Sequence, residues 1–543
     1  MQHQIQEIET GYKRTILFQT DHFEMVSIQW LENGISKMHG HAWSQGSVLV
    51  EEGLFEEKID LGLKKEVRIL EAGQSVHTPY GAKHEIRCLS KKGKTLHVYT
   101  PKIQESTQVD KFDQTISTSL HQDLLLGKSC TISELSRLLG SIRSQSISTH
   151  SPYFMNQLFS GVSPQLLIAE ELIVQTKTTM ATHEASPIFS EIEAEVVEAL
   201  CKQIGWKEGD RDGVAVPGGS AANFMAIHCA RQRLFPDQKE TGTIGKTLQV
   251  FVSSEAHYSF KKAAVAMGLG MNNIISIPVD VSGKMIVSLL EKAIRESIQS
   301  GAVPLMVCAT AGTTVLGAFD PIEEISTVTE KYKVWLHVDG AWGGPAIFSS
   351  RLKASIQGVE LSDSFTFDAH KLLGAGLTCS FFLTKHSSIL LEANDVTGGD
   401  YLFHSDGFTL DRGKSSWQCG KRADAVGFWT IWKSLGTNGI EDFLNRMLNI
   451  RDEAVEWIKH QPRLELVTEP SYLNICLKVI QPSTGKDPFK WSEFTRNQLK
   501  NKNLCMVNYS ENMDGTFLRL ILANPLLDVK IIQQILTWAL EVE

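Results

Sequence analysis

From Gly213 to Asp368 the chain follows one pattern, in which short apolar runs are separated by longer helical stretches. LQVFVSS, IISIPVD, PLMVCATAG, VWLHVDGAW and SFTFDAH are such runs, and most end in small or polar residues. A strand with apolar side chains on both faces must be buried on both. These runs therefore predict an α/β fold, with a parallel or mostly parallel sheet covered by helices on each side. SAANFMAIHCARQRLF, ahead of the first run, reads as one covering helix. In such sheets ligands bind beyond the carboxyl ends of the strands, where this sequence places its polar residues.

The flanks read differently. Residues 1–110 carry short alternating runs such as HFEMVSIQW, GSVLVEEGLF and TLHVYTP, broken by Gly and charged turns, as in a small all-β barrel or sandwich. A polar, Ser/Thr-rich stretch from Gln104 to Leu126 predicts a linker, and helical periodicity begins near Ile132. SPIFSEIEAEVVEALCKQIG predicts an amphipathic helix with acidic residues in its first turns. The expected division is an all-β domain over 1–110, a linker and helical segment over 111–190, a large domain over 191–438 and a small α+β domain over 439–543. Such a division agrees with a length that exceeds one ordinary core.

Charge and composition exclude several classes of function. A net charge of −9 opposes a nucleic-acid-binding surface, which needs a basic face. The N-terminal MQHQIQEIETGYKR has no apolar run behind a basic start, so no secretory signal is expected. No run of about 18 apolar residues occurs, so no membrane span is expected. The nine cysteines are scattered without a C-x-x-C pair, as suits free thiols in a reducing cytoplasm.

Four short motifs carry the chemistry. In PGGSAAN, Pro217 to Asn223, small residues let backbone approach an anion at the start of a helix, whose N–H groups and dipole favour negative charge. In HVDGAWGG, Asp339 ends a buried strand, where a carboxylate is costly unless paired, for instance with a protonated pyridine nitrogen. In DAHKLLGAG, Lys371 stands among small and apolar residues that favour its neutral, nucleophilic form. In SSEAHYSFKKAA, His257 follows a strand and could stack on a flat ring. Each motif alone has a common structural reading, as a turn, a cap, a surface charge or a satisfied polar group. Their order and spacing make the case.

From about Ser151 onward the sequence resembles the group II pyridoxal-phosphate decarboxylases, on the glutamate and cysteine-sulfinate branch. The matching stretches are YFMNQLFSG, VAVPGGSAANF, SSEAHYSFKKAA, ATAGTTVLGAFDPI, WLHVDGAWGG, DAHKLLGAGLTCS, YLF, WQCGKRAD and FLRLILANP. The resemblance implies an aspartate-aminotransferase-like fold (fold type I) and pyridoxal 5'-phosphate as cofactor. It implies that Lys371 bonds the cofactor, His257 stacks on its ring, Asp339 pairs with the pyridine nitrogen and Ala341 packs beneath. Ser220 and Ala221 would cradle the phosphate, with Thr310 and His370 nearby. Tyr401, in GGDYLFHSDG, would return a proton to Cα, and Arg519 would hold the substrate α-carboxylate. Gln157, Phe159 and Ser160 would select the side chain, with Phe159 shortening the pocket in favour of a three-carbon acid over glutamate. His183, in TTMATHEASP, departs from the family's usual tyrosine and leaves that choice open. The family also implies a homodimer acting on a small acidic amino acid.

The N-terminal region has a second resemblance. His39-Gly40-His41 places two imidazoles on one face of a strand, with His84, His97 and Tyr99 downstream and Arg14 upstream. This set is similar to cysteine dioxygenase, a cupin. It implies Fe(II) on His39, His41 and His84, a cysteine carboxylate on Arg14, and an outer relay of His97 and Tyr99. The two resemblances support each other: the first activity would make cysteine sulfinate and the second would decarboxylate it to hypotaurine. The alternative is a glutamate or aspartate decarboxylase with a ligand-sensing or non-catalytic cupin.

Overall fold

The computed structural model describes all residues except 1–4, 9–10, 20–23, 37, 41–44, 61–64, 79–82, 101–109, 125, 127–128, 244, 397, 400, 404–410 and 483–486. The chain forms two compact units, Met1–Val109 with Val162–Glu171, and Asp110–Gly161 with Leu172–Glu543.

The first unit contains ten strands: β1 (Ile5–Ile8), β2 (Tyr12–Gln19), β3 (Glu24–Leu31), β4 (His39–Gly40), β5 (Gln45–Glu52), β6 (Leu54–Asp60), β7 (Lys65–Glu71), β8 (Ser75–Thr78), β9 (Lys83–Cys88) and β10 (Lys92–Thr100). They form two antiparallel sheets, ordered β1-β2-β3-β10-β5-β8 and β4-β9-β6-β7. Alternation explains the packing. Along β6 every second residue is buried. Val26, Trp30, Val48 and Val50 of one sheet share a core with Phe55, Leu70 and Ile86 of the other.

The second unit begins with α1 (Thr118–Asp123) and α2 (Ile132–Gln145), then β11 (Phe154–Met155). Thr131 starts α2 with a reciprocal cap: its hydroxyl accepts from Glu134 N, and Glu134 accepts from Thr131 N at 2.8 Å. The helix α3 (Pro164–Thr176) spans residues of both units. The helix α4 (Pro187–Ile204) has Pro at its first position and Gly205, at φ 98°, as its left-handed stop. Its acidic residues begin in the second turn, with Glu191 and Glu193. Glu193 is fully buried among cations.

The large sheet is built from β12 (Asp212–Pro217), β13 (Leu248–Ser253), β14 (Ile274–Ile277), β15 (Val303–Thr310), β16 (Trp335–Gly340), β17 (Ser364–Asp368) and β18 (Cys379–Thr384), in the order β12-β18-β17-β16-β15-β13-β14. All pairs are parallel except those made by β18. Because β18 opposes both neighbours, β12 runs in the same direction as β17. Every residue of β16, β17 and β18 is buried. The helices accompanying this sheet are α5 (Gly219–Leu234), α6 (Gln238–Thr241), α7 (Ser259–Ala266), α8 (Val287–Gln299), α9 (Ile322–Tyr332) and α10 (Ile389–Asn394).

The helical run α11 (Ala425–Lys459) breaks at Gly436, where φ is 67° and ψ 171°. After it come β19 (Leu464–Leu466), β20 (Asn474–Val479), α12 (Trp491–Asn501), β21 (Met506–Asn512), β22 (Gly515–Ile521) and α13 (Val529–Leu540). Their sheet has the order β11-β21-β22-β20-β19, so a strand from near residue 155 completes the C-terminal sheet. The stretch expected to be a linker is held at its described start, residues 110–113. Asn503 accepts from the backbone N–H groups of Phe112 and Asp113 and donates to the carbonyl of Asp110, and Phe112 is fully buried.

Candidate active site

The carboxyl ends of β15, β16 and β17 and the start of α5 converge. Register places Thr310 beside Asp339 and Asp339 beside Thr366. The strand β12 runs with them, so the turn from β12 into α5 lies at the same edge. Gly218 caps α5 with φ 97°. A Cβ added to Gly219 would come within 2.7 Å of Asp368 Oδ2 and 3.1 Å of Ala341 Cβ, so backbone, Asp368 and Ala341 close together only because this residue is glycine.

Asp339 is buried. Its Oδ2 accepts from Asn223 Nδ2 at 2.8 Å and its Oδ1 from the backbone N–H of Ala341 at 3.1 Å. Lys371 lies just past β17, with Nζ 3.2 Å from Asp368 Oδ2 and about a fifth of its side chain exposed. His370 is held at Nδ1 by the Cys379 carbonyl at 2.9 Å and Ser380 Oγ at 3.2 Å. His257 Nδ1 accepts from Ser259 N at 3.2 Å. Burial pushes the His257 imidazole below its usual range, opposed by the charge of Asp339 and reinforced by that of Lys371. Ser220 is exposed and Ala221 half-buried in the first turn of α5, where helical N–H groups lack intrahelical acceptors. Two buried oxygens here have no hydrogen-bond partner, Thr310 Oγ1 and Asp368 Oδ1. A glycine-lined helix start, a carboxylate, a lysine and unsatisfied buried oxygens together fit a phosphorylated pyridine aldehyde.

Arg519, on β22, is buried. It donates to the carbonyls of Thr314 at 3.0 Å and Asn156 at 2.9 Å, while its Nε has no hydrogen-bond partner. The side-chain-selecting residues divide. The Ser160 hydroxyl lies within donating distance of the carbonyls of Thr149 and Phe154 and accepts from Asn524 Nδ2, in the turn after β11. Phe159 is half-buried against Phe154, with ring centroids 6.3 Å apart, and Gln157 is exposed. Tyr401 is 80% exposed.

In the first unit, His39 pairs in register with His84 across β4 and β9. His84 is buried, with Nδ1 2.8 Å from Glu57 Oε1. His97 Nε2 is 2.8 Å from Thr95 Oγ1, which also accepts from Trp30 Nε1. Arg14, expected to face a substrate carboxylate, is paired with buried Glu24 on the neighbouring strand. His41 and the side chains of His39 and Tyr99 lie outside the described residues. Among the described residues no cluster of three or more His, Cys, Asp or Glu is arranged to hold a metal. No helix among them is long and apolar enough to cross a membrane.

Sequence reading assigned no role to Asn223, His337, Thr366 or Asp368, although each lies in or beside a quoted motif. Their partners are distant in sequence: Asn223 meets His337 and Thr366 across 114 and 143 residues.

Comparison with known proteins gives consistent matches. Residues 135–480 match the pyridoxal-dependent decarboxylase conserved domain. The acidic amino acid decarboxylase GADL1 of Bos taurus is 39% identical over 394 residues, covering 70% of this chain and 75% of that protein. The cysteine sulfinic acid decarboxylase of Rattus norvegicus is 37% identical over 396 residues, covering 70% and 80%. The crystal structure of mouse CSAD superposes with a TM-score of 0.76 at 32% identity, covering 80% of this chain and 93% of that one.

Proposed function

The chain belongs to the pyridoxal-dependent decarboxylase family, and from that premise we propose that it decarboxylates a small acidic amino acid, preferring cysteine sulfinate and forming hypotaurine. The observation that carries this reading is the convergence of Asp339, Lys371, Asp368 and the glycine-started helix α5 at one sheet edge. Relatives named for acidic amino acids and for cysteine sulfinic acid support the substrate class.

Bound pyridoxal phosphate supplies an electron sink for the pair left on Cα when carbon dioxide departs. The chain's residues do the rest. Lys371 would bond the cofactor, and while it is unbonded Asp368 beside its Nζ balances the ammonium charge. Asp339 holds the proton on the pyridine nitrogen, and His257 and Ala341 enclose the ring. The first turn of α5, with Ser220 and Ala221, receives the phosphate, with Thr310 and His370 at the periphery. Arg519 turns its fork to the substrate α-carboxylate, with its unsatisfied Nε as the open donor. Tyr401 donates the proton to Cα. Its exposure fits a homodimer in which this segment serves the neighbouring site, in the cytoplasm. Gln157 and Phe159 bound the distal end of the substrate.

The test is product formation by cofactor-loaded protein given cysteine sulfinate, cysteate, aspartate and glutamate in parallel. Preferential hypotaurine formation is expected. A preference for glutamate or aspartate would overturn the substrate assignment and keep the site.

A second reading concerns the first unit and rests on His84. A buried carboxylate on Nδ1 is the usual partner of a metal-ligating imidazole, because it fixes the tautomer. In this reading His39, His41 and His84 hold Fe(II), which with dioxygen would add two oxygens to a cysteine thiol. His97 and Tyr99 line the outer side, and Arg14 must exchange Glu24 for the substrate carboxylate. Iron content of the purified protein, and oxygen uptake on adding cysteine, check it. Iron-free protein that takes up no oxygen after Fe(II) reconstitution would defeat it.

A further inference from the structure

Trp335, His337 and Asp339 alternate to one face of β16, and a hydrogen-bond chain runs along that face to Asp339. Trp335 Nε1 donates to Ser364 Oγ at 2.8 Å. Ser364 Oγ lies 2.8 Å from His337 Nδ1. His337 Nε2 lies 3.1 Å from Asn223 Oδ1, and Asn223 Nδ2 donates to Asp339 Oδ2 at 2.8 Å. Thr366 Oγ1 also donates to Asn223 Oδ1 at 2.9 Å, and Asn223 Nδ2 also donates to Ser259 Oγ at 2.9 Å. Every member of the chain is buried.

The direction of each hydrogen follows from the two ends. An ionised carboxylate only accepts, so Asn223 must turn its amide nitrogen to Asp339 and its carbonyl to His337. That carbonyl, 3.1 Å from His337 Nε2, favours a hydrogen there, although the Thr366 hydroxyl lies within reach of both, 2.9 Å from Asn223 Oδ1 and 3.1 Å from His337 Nε2. Burial holds this imidazole down to about 4, against the charge of Asp339 and the Ser364 backbone, so it is neutral near pH 7 and its Nδ1 is bare. Bare Nδ1 needs the Ser364 hydroxyl hydrogen. From the other end, the indole N–H of Trp335 can only donate, which occupies a lone pair of Ser364 and leaves its hydrogen for His337. The two derivations meet without conflict. The opposite tautomer would leave the Asn223 carbonyl facing a bare Nε2 at 3.1 Å, with only the Thr366 hydroxyl to serve both.

We propose that Asn223 and His337 are positioning residues that act through Asp339, holding its carboxylate aimed at the cofactor ring by a one-way hydrogen-bond chain begun at Trp335. The inference rests on the reading of Asp339 as the partner of the pyridine nitrogen. Removing Asn223 takes a donor from the ionised carboxylate and weakens its hold on the ring proton. A ring nitrogen less firmly protonated repels the proton at the Lys371 linkage less, so that linkage titrates at higher pH. The other titratable groups that feel the charge of Asp339 are His257 after β13 and Cys308 on β15, and His257 in turn feels Lys371, Asp368 and Lys262. None is altered in the variants below.

Two measurements test the chain. In apoprotein labelled with 15N-histidine, with His337 assigned by its loss in His337→Gln, the ring shifts at pH 7 should be those of a neutral imidazole protonated at Nε2. An Nδ1–H tautomer or an imidazolium would overturn the proposal. In holoenzyme, Asn223→Ala should raise the pH midpoint of the visible cofactor absorbance by about one unit and lower kcat about tenfold, with KM within about threefold. Ser364→Ala, remote from the cofactor, should give mixed His337 tautomers and a smaller shift in the same direction. A purely structural role would lower thermal stability in both variants and leave the midpoint in place, which would overturn the proposal. Wild-type apoprotein that takes up no pyridoxal phosphate would overturn the reading of the site and this inference with it. Normal uptake with an unmoved midpoint in Asn223→Ala would overturn this inference alone.

Discussion

At the scale of single residues, burial of polar groups sets the pH response. His337 is protonated near pH 6.5 in an unfolded chain but only near 4 when folded. Between those values the unfolded state binds the extra proton, so stability falls as pH drops through that window. The difference corresponds to about 3 kcal/mol at full development. In denaturant titrations from pH 7 to pH 4, His337→Gln should lose less stability than wild type over that window. An equal slope would show that this imidazole is not the group responsible. Gly219 makes a second residue-level prediction. The only space for a Cβ is already filled by Asp368 and Ala341. Gly219→Ala should therefore weaken pyridoxal phosphate binding at least about tenfold, measured by titrating apoprotein fluorescence, while the far-ultraviolet circular dichroism is retained.

At the scale of elements, the docked segment after residue 110 hangs on Asn503, a left-handed residue at φ 57° that satisfies three backbone groups. Asn503→Ala should cost about 1–3 kcal/mol and open the 110–117 stretch to limited proteolysis. Unchanged cleavage would mean that Phe112 alone anchors it. Composition gave no sign of this docking, because a polar, Ser/Thr-rich stretch reads as linker whether or not another element supplies its hydrogen bonds. The central strands were legible because each is a short, mostly apolar run between helical stretches. The strands β12 and β18 were not among the apolar runs singled out: VAVP was quoted only within VAVPGGSAANF, and of β18 only Cys379 and Ser380, at the end of DAHKLLGAGLTCS. Lys371 and Asp339 were singled out from their motifs, and the structure brings both to the carboxyl ends of neighbouring strands. The network behind Asp339 was not legible in this way, since register across the sheet and not spacing along the chain brings Asn223 to His337 and Thr366.

At the scale of the whole molecule, a buried charge cluster joins α4, β12 and the segment leading into α11. Glu193 Oε1 accepts from Lys421 Nζ and from the backbone N–H of Ala215, with Arg412 Nε 3.7 Å away. Burial alone would raise the Glu193 carboxyl, but Lys421 and Arg412 overcome it and hold it below its usual range. Glu193→Gln leaves two neighbouring cations buried without their anion and should cost about 3–5 kcal/mol in chemical denaturation. A loss below about 1 kcal/mol would mean that water or another carboxylate reaches the cluster. The strand β11 carries a different consequence, one of timing. Among the described residues it pairs only with β21, and Asn156 just beyond it meets Asn508 across 352 residues. On a ribosome adding about 5–20 residues per second, that partner arrives roughly 20–70 s after β11 has been made. Throughout that interval the nascent chain carries the segment bordering Arg519's contact without the strand that will seat it. A premature stop before Met506 would therefore deprive this early segment of its place, although every motif from Pro217 to Lys371 had already been translated.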